Sequence, residues 1–460
     1  MSGELGSARN PLRVAIVGSG PSGFYAAEAL FRSKHFVCVD MLEKLPAPYG
    51  LVRNGVAPDH PKLKEAILVY DKIARTPHFN FFGNVTVGRD ISVEELRRTH
   101  HALIFACGAE TDRRLGIRGE DLPGSHTATE FVGWYNGHPN YRDHAFDLSH
   151  EVAVIVGQGN VAADVCRILA KPVDQLRHTD IADHALGILA GSKVRQIHLV
   201  GRRGPAQAKF TSKELRELGD VMDCDPIVAP EDLVLNPEST AELADKNNTN
   251  NARNLEIFRS FAARSNTSKH RRIFFHFLRS PVALVGNQRL EGVVLAQNYL
   301  EGDPFHQVAR ETCEILELQC GLLFRSIGYR GIPIPNVPFD EGRGIFPNRD
   351  GRLLNGSGGV SLGFYATGWI KRGPTGIIGT NRADSVATVK ALIEDLPIFP
   401  IAEKPGVDAL RSLLAQRDRR YVSYADWLKI DAAETGRGAP KGKPREKFTR
   451  IEEMLAYVSD

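Results

Sequence analysis

The sequence predicts an α/β fold made of two Rossmann-like dinucleotide-binding domains, the second inserted in the first. Three observations carry this expectation. A strand, a glycine-rich turn and a helix occur in succession twice, over 13–31 and again over 151–170. The strand after the first turn ends in an acid, whereas the strand after the second ends in an arginine pair. Two apolar runs, Leu103–Gly108 and Leu322–Gly328, each end in glycine and mark where the chain is expected to pass between domains. The expected boundaries are 1–110 for the first part of the outer domain, 111–330 for the inserted domain, and 331–460 for the return with a C-terminal extension.

In the first pattern the apolar run Arg13–Val17 leads into Gly18-Ser-Gly-Pro-Ser-Gly23, and Phe24–Phe31 follows with helical spacing. A second apolar run, Phe36–Leu42, ends at Glu43, which stands 20 residues after Gly23. That is the dinucleotide fingerprint in its structural context. Gly18 permits the tight turn, Gly20 lets the backbone approach a pyrophosphate, and Gly23 lets the helix pack on the sheet. The helix N-terminus offers N–H groups and partial positive charge to the phosphates. Glu43 is suited to accept hydrogen bonds from both ribose hydroxyls.

In the second pattern Glu151–Val156 ends in Gly157-Gln-Gly-Asn-Val-Ala162, and a helix runs through Ala170. Alanine in the third glycine position is an accepted variant. The matching strand, Gln196–Val200, is delayed by the insertion 171–192 and ends in Gly201-Arg-Arg-Gly204. A carboxylate there would repel a 2′-phosphate, whereas guanidiniums bind one with bidentate geometry. The first turn is therefore suited to FAD and the second to NADPH rather than NADH. The competing reading of Arg202 and Arg203 is a solvated basic turn.

A third apolar strand, Gly363–Gly368, precedes Trp369-Ile-Lys-Arg-Gly-Pro-Thr-Gly376. A helix beginning near Gly376 is expected to aim its positive end at the flavin ring, where it would stabilise charge on the reduced flavin. The stretch 238–270 is polar and weakly periodic, and is expected as mobile surface helix and loop. The tail 436–447, rich in Gly, Pro and Lys, is expected as an extended surface segment.

Composition narrows the function classes. The net charge of +3 argues against a dedicated nucleic-acid binder. No run of about 18 apolar residues suggests a membrane span. Residues 1–12 lack a secretory apolar stretch. The six cysteines contain no C-x-x-C, so neither a zinc site nor a redox-active pair beside the flavin is expected. Cys107 reads as a buried structural thiol. Electrons must leave the flavin to oxygen, to an organic substrate or to a protein carrier.

The blocks Val17–Tyr25, Tyr49-Gly-Leu-Val-Arg-Asn-Gly-Val-Ala-Pro-Asp-His-Pro61, Phe82–Gly88, Phe131–Asn136, Gly157–Val161, Val200–Pro205 and Gly368-Trp-Ile-Lys-Arg-Gly-Pro-Thr-Gly376 are more specific than generic nucleotide fingerprints. Through them the sequence resembles the adrenodoxin reductase family, including its bacterial ferredoxin–NADP reductase members. The resemblance spans nearly the whole chain and is weakest over 230–272 and the last 50 or so residues. It implies an NADPH–ferredoxin reductase in which hydride passes from NADPH to FAD and single electrons pass to an acidic iron–sulfur ferredoxin. A flavoprotein reducing a quinone or another organic acceptor is the alternative within enzymes. A nucleotide-binding scaffold with negligible turnover is the alternative outside them.

The resemblance further implies FAD contacts from Ser22, Glu43, Leu51, Val87, Trp369 and the backbone of Gly376, Ile377 and Ile378. It implies NADP contacts from Gln158, Gly159, Asn160, Val161, Arg202, Arg203 and Glu214, with Gly376 near the nicotinamide. His60 and Glu217 would lie at the flavin–nicotinamide contact. Hydride transfer needs positioning and no general base. His60 therefore reads equally as a residue fixing the Asp59-His60-Pro61 turn, Asp59 as a helix cap, and Glu217 as a surface charge. Lys209, Lys213, Arg216, Lys371 and Arg372, with Arg271 and Arg272, are candidates for steering an acidic partner. No metal is expected. A monomer is expected, in the bacterial cytoplasm, with a mature mitochondrial form as the other compartment.

Overall fold

The computed structural model describes residues 4–264 and 269–458. The chain forms two compact units, one of Met1–Val56, His60–Thr111 and Tyr329–Asp460, the other of Ala57–Asp59 and Asp112–Gly328. The three-residue excursion Ala57–Asp59 has no signature in the sequence. Among the described residues no helix is long and apolar enough to cross a membrane.

Among the described residues of the first unit, seven strands form one sheet. Their order is Asn348–Arg349, Arg352–Leu354, Val360–Ala366, Ala102–Phe105, Leu12–Val17, Val37–Leu42 and Phe79–Phe82. Leu12–Val17 pairs in parallel with Val37–Leu42 on one side and Ala102–Phe105 on the other. Its carboxyl end is therefore a topological switch point, where open α/β sheets bind ligands. Leu12, Val14, Ala15 and Ile16 are wholly buried, as a strand covered on both faces requires. Helix Pro21–Phe31 follows directly, with proline at its start, where the missing N–H costs nothing. Helix Thr380–Asp395 is tied to it by the Ser385 hydroxyl, which donates to the Ser22 carbonyl at 2.9 Å.

Among the described residues of the second unit, a six-stranded parallel sheet runs in the order Ser125–Thr127, Leu322–Arg325, Val152–Val156, Gln196–Val200, Arg271–His276 and Cys224–Val228. Val152–Val156 has the same switch-point position as Leu12–Val17. One core of this unit gathers Phe210, Leu215, Phe258, Phe261 and Phe275 with Ile155 and Leu199. A second joins Val154, Val156, Val200 and Leu323 to Leu284, Val293 and Leu295. The latter three belong to an antiparallel sheet of Arg279–Val285, Gly292–Glu301 and Val308–Gln319.

Two surface expectations are corrected. The stretch 238–270 contains most of helix Pro237–Ala244 and all of helix Thr249–Ala262, and the latter buries Leu255, Ile257, Phe258 and Phe261. Those four recur at helical spacing, which the surrounding Asn and Arg residues obscured. Residues 265–268 of that stretch lie outside the described residues. The tail 436–447 is not extended. Helix Tyr424–Gly438 is followed by a short 3-10 turn, and Lys443, Glu446 and Lys447 are buried.

Charge pairing makes that tail compact. Arg53 and Glu434 are 4% and 0% exposed and form a two-pronged ion pair, at 2.8 and 2.5 Å. Glu434 also accepts from the Phe448 N–H at 2.9 Å and from Arg445 at 3.2 Å. Lys447 donates to the Arg53 carbonyl, and the Arg53 guanidinium lies 5.1 Å from the Trp427 ring centre. Arg53 belongs to the short helix Gly50–Asn54, so the C-terminal segment clamps that helix. Burial raises the Glu434 pKa, but Arg53 and Arg445 outweigh it and the net shift is downward. Its stabilisation is therefore present above the ordinary carboxylate range and is lost as pH falls through the depressed value. Glu434→Ala strands the Arg53 charge and should cost about 3–5 kcal/mol, read by urea unfolding of the holoprotein at neutral pH.

Candidate functional site: two glycine turns at parallel-strand ends

In the first unit Gly18 has φ +104°, and a Cβ there would fall 2.6 Å from the Ala106 carbonyl oxygen. A Cβ on Gly23 would lie 2.2 Å from the Gly18 oxygen, so the helix can sit against the turn only without one. Gly20 differs, since a Cβ there would meet nothing within 4 Å. The space above Gly20 is open, as the backbone approach of a pyrophosphate needs. Glu43 accepts from the Ser19 N–H and hydroxyl at 3.1 and 2.7 Å, and from the Leu45 N–H at 3.1 Å. These bonds fix its carboxylate beside the turn.

Other predicted residues converge on the same strand end. The Tyr49 N–H donates to the Ser19 carbonyl at 3.0 Å. A Cβ on Gly50, whose φ is +49°, would fall 3.0 Å from the Gly20 Cα. This close approach sets Leu51 next to the turn. Val87 packs in one core with Val17 and Ile370. Ser22 and Gly368 are in contact, since a Cβ on Gly368 would lie 2.1 Å from the Ser22 hydroxyl. The Ser22 hydroxyl also donates to Asn381 at 3.1 Å. Trp369 stacks on Tyr329 at 5.3 Å and donates to the Thr375 carbonyl at 3.1 Å. Leu51 and Ile377 remain 38% and 62% exposed, leaving apolar surface for a ligand, while Ile378 packs against the core.

The expected helix start near Gly376 is corrected. The helix begins at Thr380 with Gly379 as its cap. Gly376 has φ +85°, a left-handed conformation that a right-handed helix cannot hold. Gly376, Ile377 and Ile378 form the irregular backbone before it. Arg372 donates to Asn381 at 2.8 Å, and its other terminal nitrogen is buried without a partner.

The second turn repeats the pattern. Gly157 has φ +143° and a Cβ there would meet the Ser326 oxygen at 2.2 Å, whereas Gly159 has open space. Ala162 is fully buried at the third position. The Asn160 side chain accepts from the Thr211 N–H and the Gln158 carbonyl from the Lys209 N–H, both at 2.8 Å. Helix Asn160–Ala170 starts there and carries Val161 in its first turn. The Gln158 side chain lies over Gly201, where a Cβ would clash at 1.8 Å. Its amide nitrogen is buried without a partner. Gln158 and the start of the arginine turn are therefore brought together.

Arg202 is exposed and Arg203 partly buried. Among the described residues no carboxylate forms an ion pair with either. Burial, and then the neighbouring Arg202 charge, lowers the Arg203 pKa against a weaker pull from Glu242. Two cations held together without a counter-ion are the donor set for a doubly charged phosphate.

Asp59, expected as a helix cap, instead joins an ion cluster around Arg167 within the second unit. The residue capping helix Pro61–Lys64 is the buried His60, and it caps through no side-chain bond. Asp59 binds Arg167 through two bonds of 2.7 and 3.1 Å, and also binds Lys171. Arg167 is 1% exposed and reaches Asp164 at 2.6 Å, Glu214 at 3.1 Å and Glu217 at 3.9 Å. Burial opposes the charge of Arg167, but Asp164, Asp59 and Glu214 outweigh it and raise its pKa. Burial likewise works against the Asp59 carboxylate, and Arg167 and Lys171 hold its pKa well below the usual range. Sequence reasoning missed Arg167. The available signal was a charge three residues after Asp164 between apolar neighbours, Val165-Cys166 and Ile168-Leu169.

Three of the basic docking candidates are committed internally. Lys371 pairs with Asp384 at 2.8 Å, Arg271 with Asp223 at 3.6 Å, and Arg372 binds Asn381 as above. Lys209, Arg216 and Arg272 are exposed, and Lys213 is exposed beside Glu217 at 3.7 Å. The thiol of Cys107 is pushed up to about 12, by burial first and then by Glu110, and all six cysteines are free.

No family model matches the chain. The NADPH-ferredoxin reductase FprA of Mycobacterium leprae is 47% identical over 451 residues, covering 96% of this chain and 97% of that protein. The mitochondrial NADPH:adrenodoxin oxidoreductase of Salvelinus fontinalis is 44% identical over 458 residues, covering 96% and 90%. The structure of Mycobacterium tuberculosis FprA in complex with NADPH superposes with a TM-score of 0.92 at 44% identity, covering 97% of this chain and 99% of that one.

The chain belongs to the adrenodoxin reductase family of NADPH–ferredoxin reductases. Its two glycine turns, one in each unit, separate open space from packing space. Gly23→Ala should destabilise the ligand-free protein by about 1–3 kcal/mol through overpacking. Gly20→Ala should stay within about 0.5 kcal/mol, because its methyl meets no protein atom. Urea unfolding of both apoproteins checks this.

Proposed function

We infer that this chain is a flavoprotein that oxidises NADPH and reduces an iron–sulfur ferredoxin. The observation that carries the reading is the unpaired Arg202–Arg203 turn at the end of Gln196–Val200, in a chain 47% identical to a mycobacterial NADPH-ferredoxin reductase. In balance, one NADPH and two oxidised ferredoxins give NADP+, one proton and two singly reduced ferredoxins. Bound FAD supplies the conversion of one hydride into two separate electrons.

The residues divide that work by unit. In the first, the open backbone at Gly20 and the N-terminus of helix Pro21–Phe31 take the FAD pyrophosphate, and Glu43 accepts from ribose hydroxyls. Ser22, Leu51, Val87, Trp369 and the backbone of Gly376, Ile377 and Ile378 line the rest of the FAD path. In the second, Gln158, Gly159, Asn160 and Val161 take the NADPH pyrophosphate, and Arg202 and Arg203 hold the 2′-phosphate. Glu214 and Glu217 are kept in place by Arg167. His60 and Glu217 act as positioning groups, since hydride transfer depends on geometry and not on a base. Acidic ferredoxin is steered by exposed lysines and arginines, which gives salt-sensitive association. The reading takes the protein as monomeric and from a bacterial cytoplasm, a reducing compartment with which its six free thiols agree.

Arg202→Ala with Arg203→Ala should lose ~2–4 kcal/mol of kcat/KM toward NADPH and little toward NADH. Equal losses for both nucleotides would remove the 2′-phosphate assignment. The acceptor is tested by cytochrome c reduction with and without an added acidic ferredoxin. The expected result is reduction that requires the ferredoxin and falls at high salt. Rapid flavin bleaching by NADPH with no ferredoxin effect would instead point to an organic acceptor.

A further inference from the structure

The arginine turn is held by its carbonyls. The Gly201 carbonyl accepts from the Arg279 N–H at 3.0 Å, and the Arg203 carbonyl accepts from the Leu278 N–H at 3.1 Å. Both donors are backbone groups at the start of the antiparallel sheet. The carbonyl between them, that of Arg202, accepts from a side chain, the Asn298 amide nitrogen, at 2.8 Å. Asn298 is 2% exposed and lies where strand Gly292–Glu301 shifts register against Val308–Gln319. Its own N–H donates to the Leu278 carbonyl at 2.7 Å, and its amide nitrogen also reaches the Ser280 hydroxyl at 2.8 Å. Two acceptors thus set which way the amide faces, and its oxygen is left buried without a donor.

In a trans peptide the C=O of one residue and the N–H of the next point in opposite directions. Tying down the carbonyls of Gly201, Arg202 and Arg203 therefore turns the N–H groups of Arg202, Arg203 and Gly204 the other way. Among the described residues none of these three N–H groups donates to a protein acceptor. The turn offers three free backbone donors together with two unpaired guanidiniums, the donor set an anion requires. A flip of the middle peptide would replace one donor with a carbonyl oxygen facing the anion.

We propose that Asn298 is the specificity-positioning residue of this site, holding the Arg202 carbonyl away so that the turn presents only donors to the 2′-phosphate of NADPH. The inference rests on the reading of Arg202 and Arg203 as the 2′-phosphate site. Asn298 touches no nucleotide and acts through the peptide it anchors. Asn298→Asp keeps the size of the side chain but removes the donor to the Arg202 carbonyl. Asn298→Ala removes the side chain, and Asn298→Gln keeps an amide donor.

The test measures kcat/KM for NADPH and NADH on the same preparation of each holoenzyme, so that any inactive fraction cancels in the ratio. It also measures binding of adenosine 2′,5′-bisphosphate and of ADP to the oxidised proteins by calorimetry. The Asp and Ala variants should lose about tenfold in the NADPH/NADH ratio, the size of one lost hydrogen bond. They should lose a similar factor for the bisphosphate and little for ADP, and Asn298→Gln should recover part of each. A ratio unchanged in both variants, or equal losses for bisphosphate and ADP, overturns the role of Asn298. Arg202→Ala/Arg203→Ala is run beside them. If that variant also keeps its preference, the 2′-phosphate reading itself fails. If it loses preference while the Asn298 variants keep theirs, only the present inference fails.

Discussion

A peptide group presents either its N–H or its C=O to whatever lies beside it, and a phosphate accepts only the first. That constraint bears on three strand ends. At the carboxyl end of Leu12–Val17, helix Pro21–Phe31 starts beside the open space above Gly20. At the end of Val152–Val156 the same arrangement leaves space above Gly159. At the end of Gln196–Val200 no regular helix does this work, and the carbonyls of the arginine turn are pulled away one at a time. Parallel strands supply the platform: Leu12–Val17 and Val152–Val156 each lie between two later strands, which leaves a crevice at the carboxyl end.

The charges in the interior follow a second rule, that a buried ion persists only when paired. Arg53 with Glu434 and Arg167 with Asp59 are both nearly inaccessible, and each joins chain segments far apart in sequence. Arg53 fastens helix Tyr424–Gly438 to the segment bearing Leu51. Asp59 fastens the excursion Ala57–Asp59 to helix Asn160–Ala170. These pairs give little net stability over apolar packing, but breaking one is costly. They therefore fix the geometry of the segments they join.

Much of this was legible from residue order. The glycine turns, Glu43 and the arginine pair announce themselves because their chemistry is local: strand, turn, helix and a terminal charge within a few dozen residues. The misread parts depended on distant partners. The tail 436–447 looks extended because Lys and Pro dominate it, yet Lys447 reaches the Arg53 carbonyl, 394 residues away. The stretch 238–270 looks like polar surface, yet Phe258 and Phe261 enter the core. Asp59 looks like a cap, and only the fold brings Arg167 to it. Asn298 stands in an ordinary β segment, and nothing in its neighbourhood signals that its amide reaches a turn 96 residues away.

An acid at one strand end and an arginine turn at the other would let one chain hold two different dinucleotides. Native mass spectrometry of the purified protein tests it most directly. One FAD is expected on each chain, with a second adduct on addition of NADP+ but not of NAD+ at the same concentration. A chain that carries no flavin, or that takes NAD+ as readily as NADP+, would contradict it.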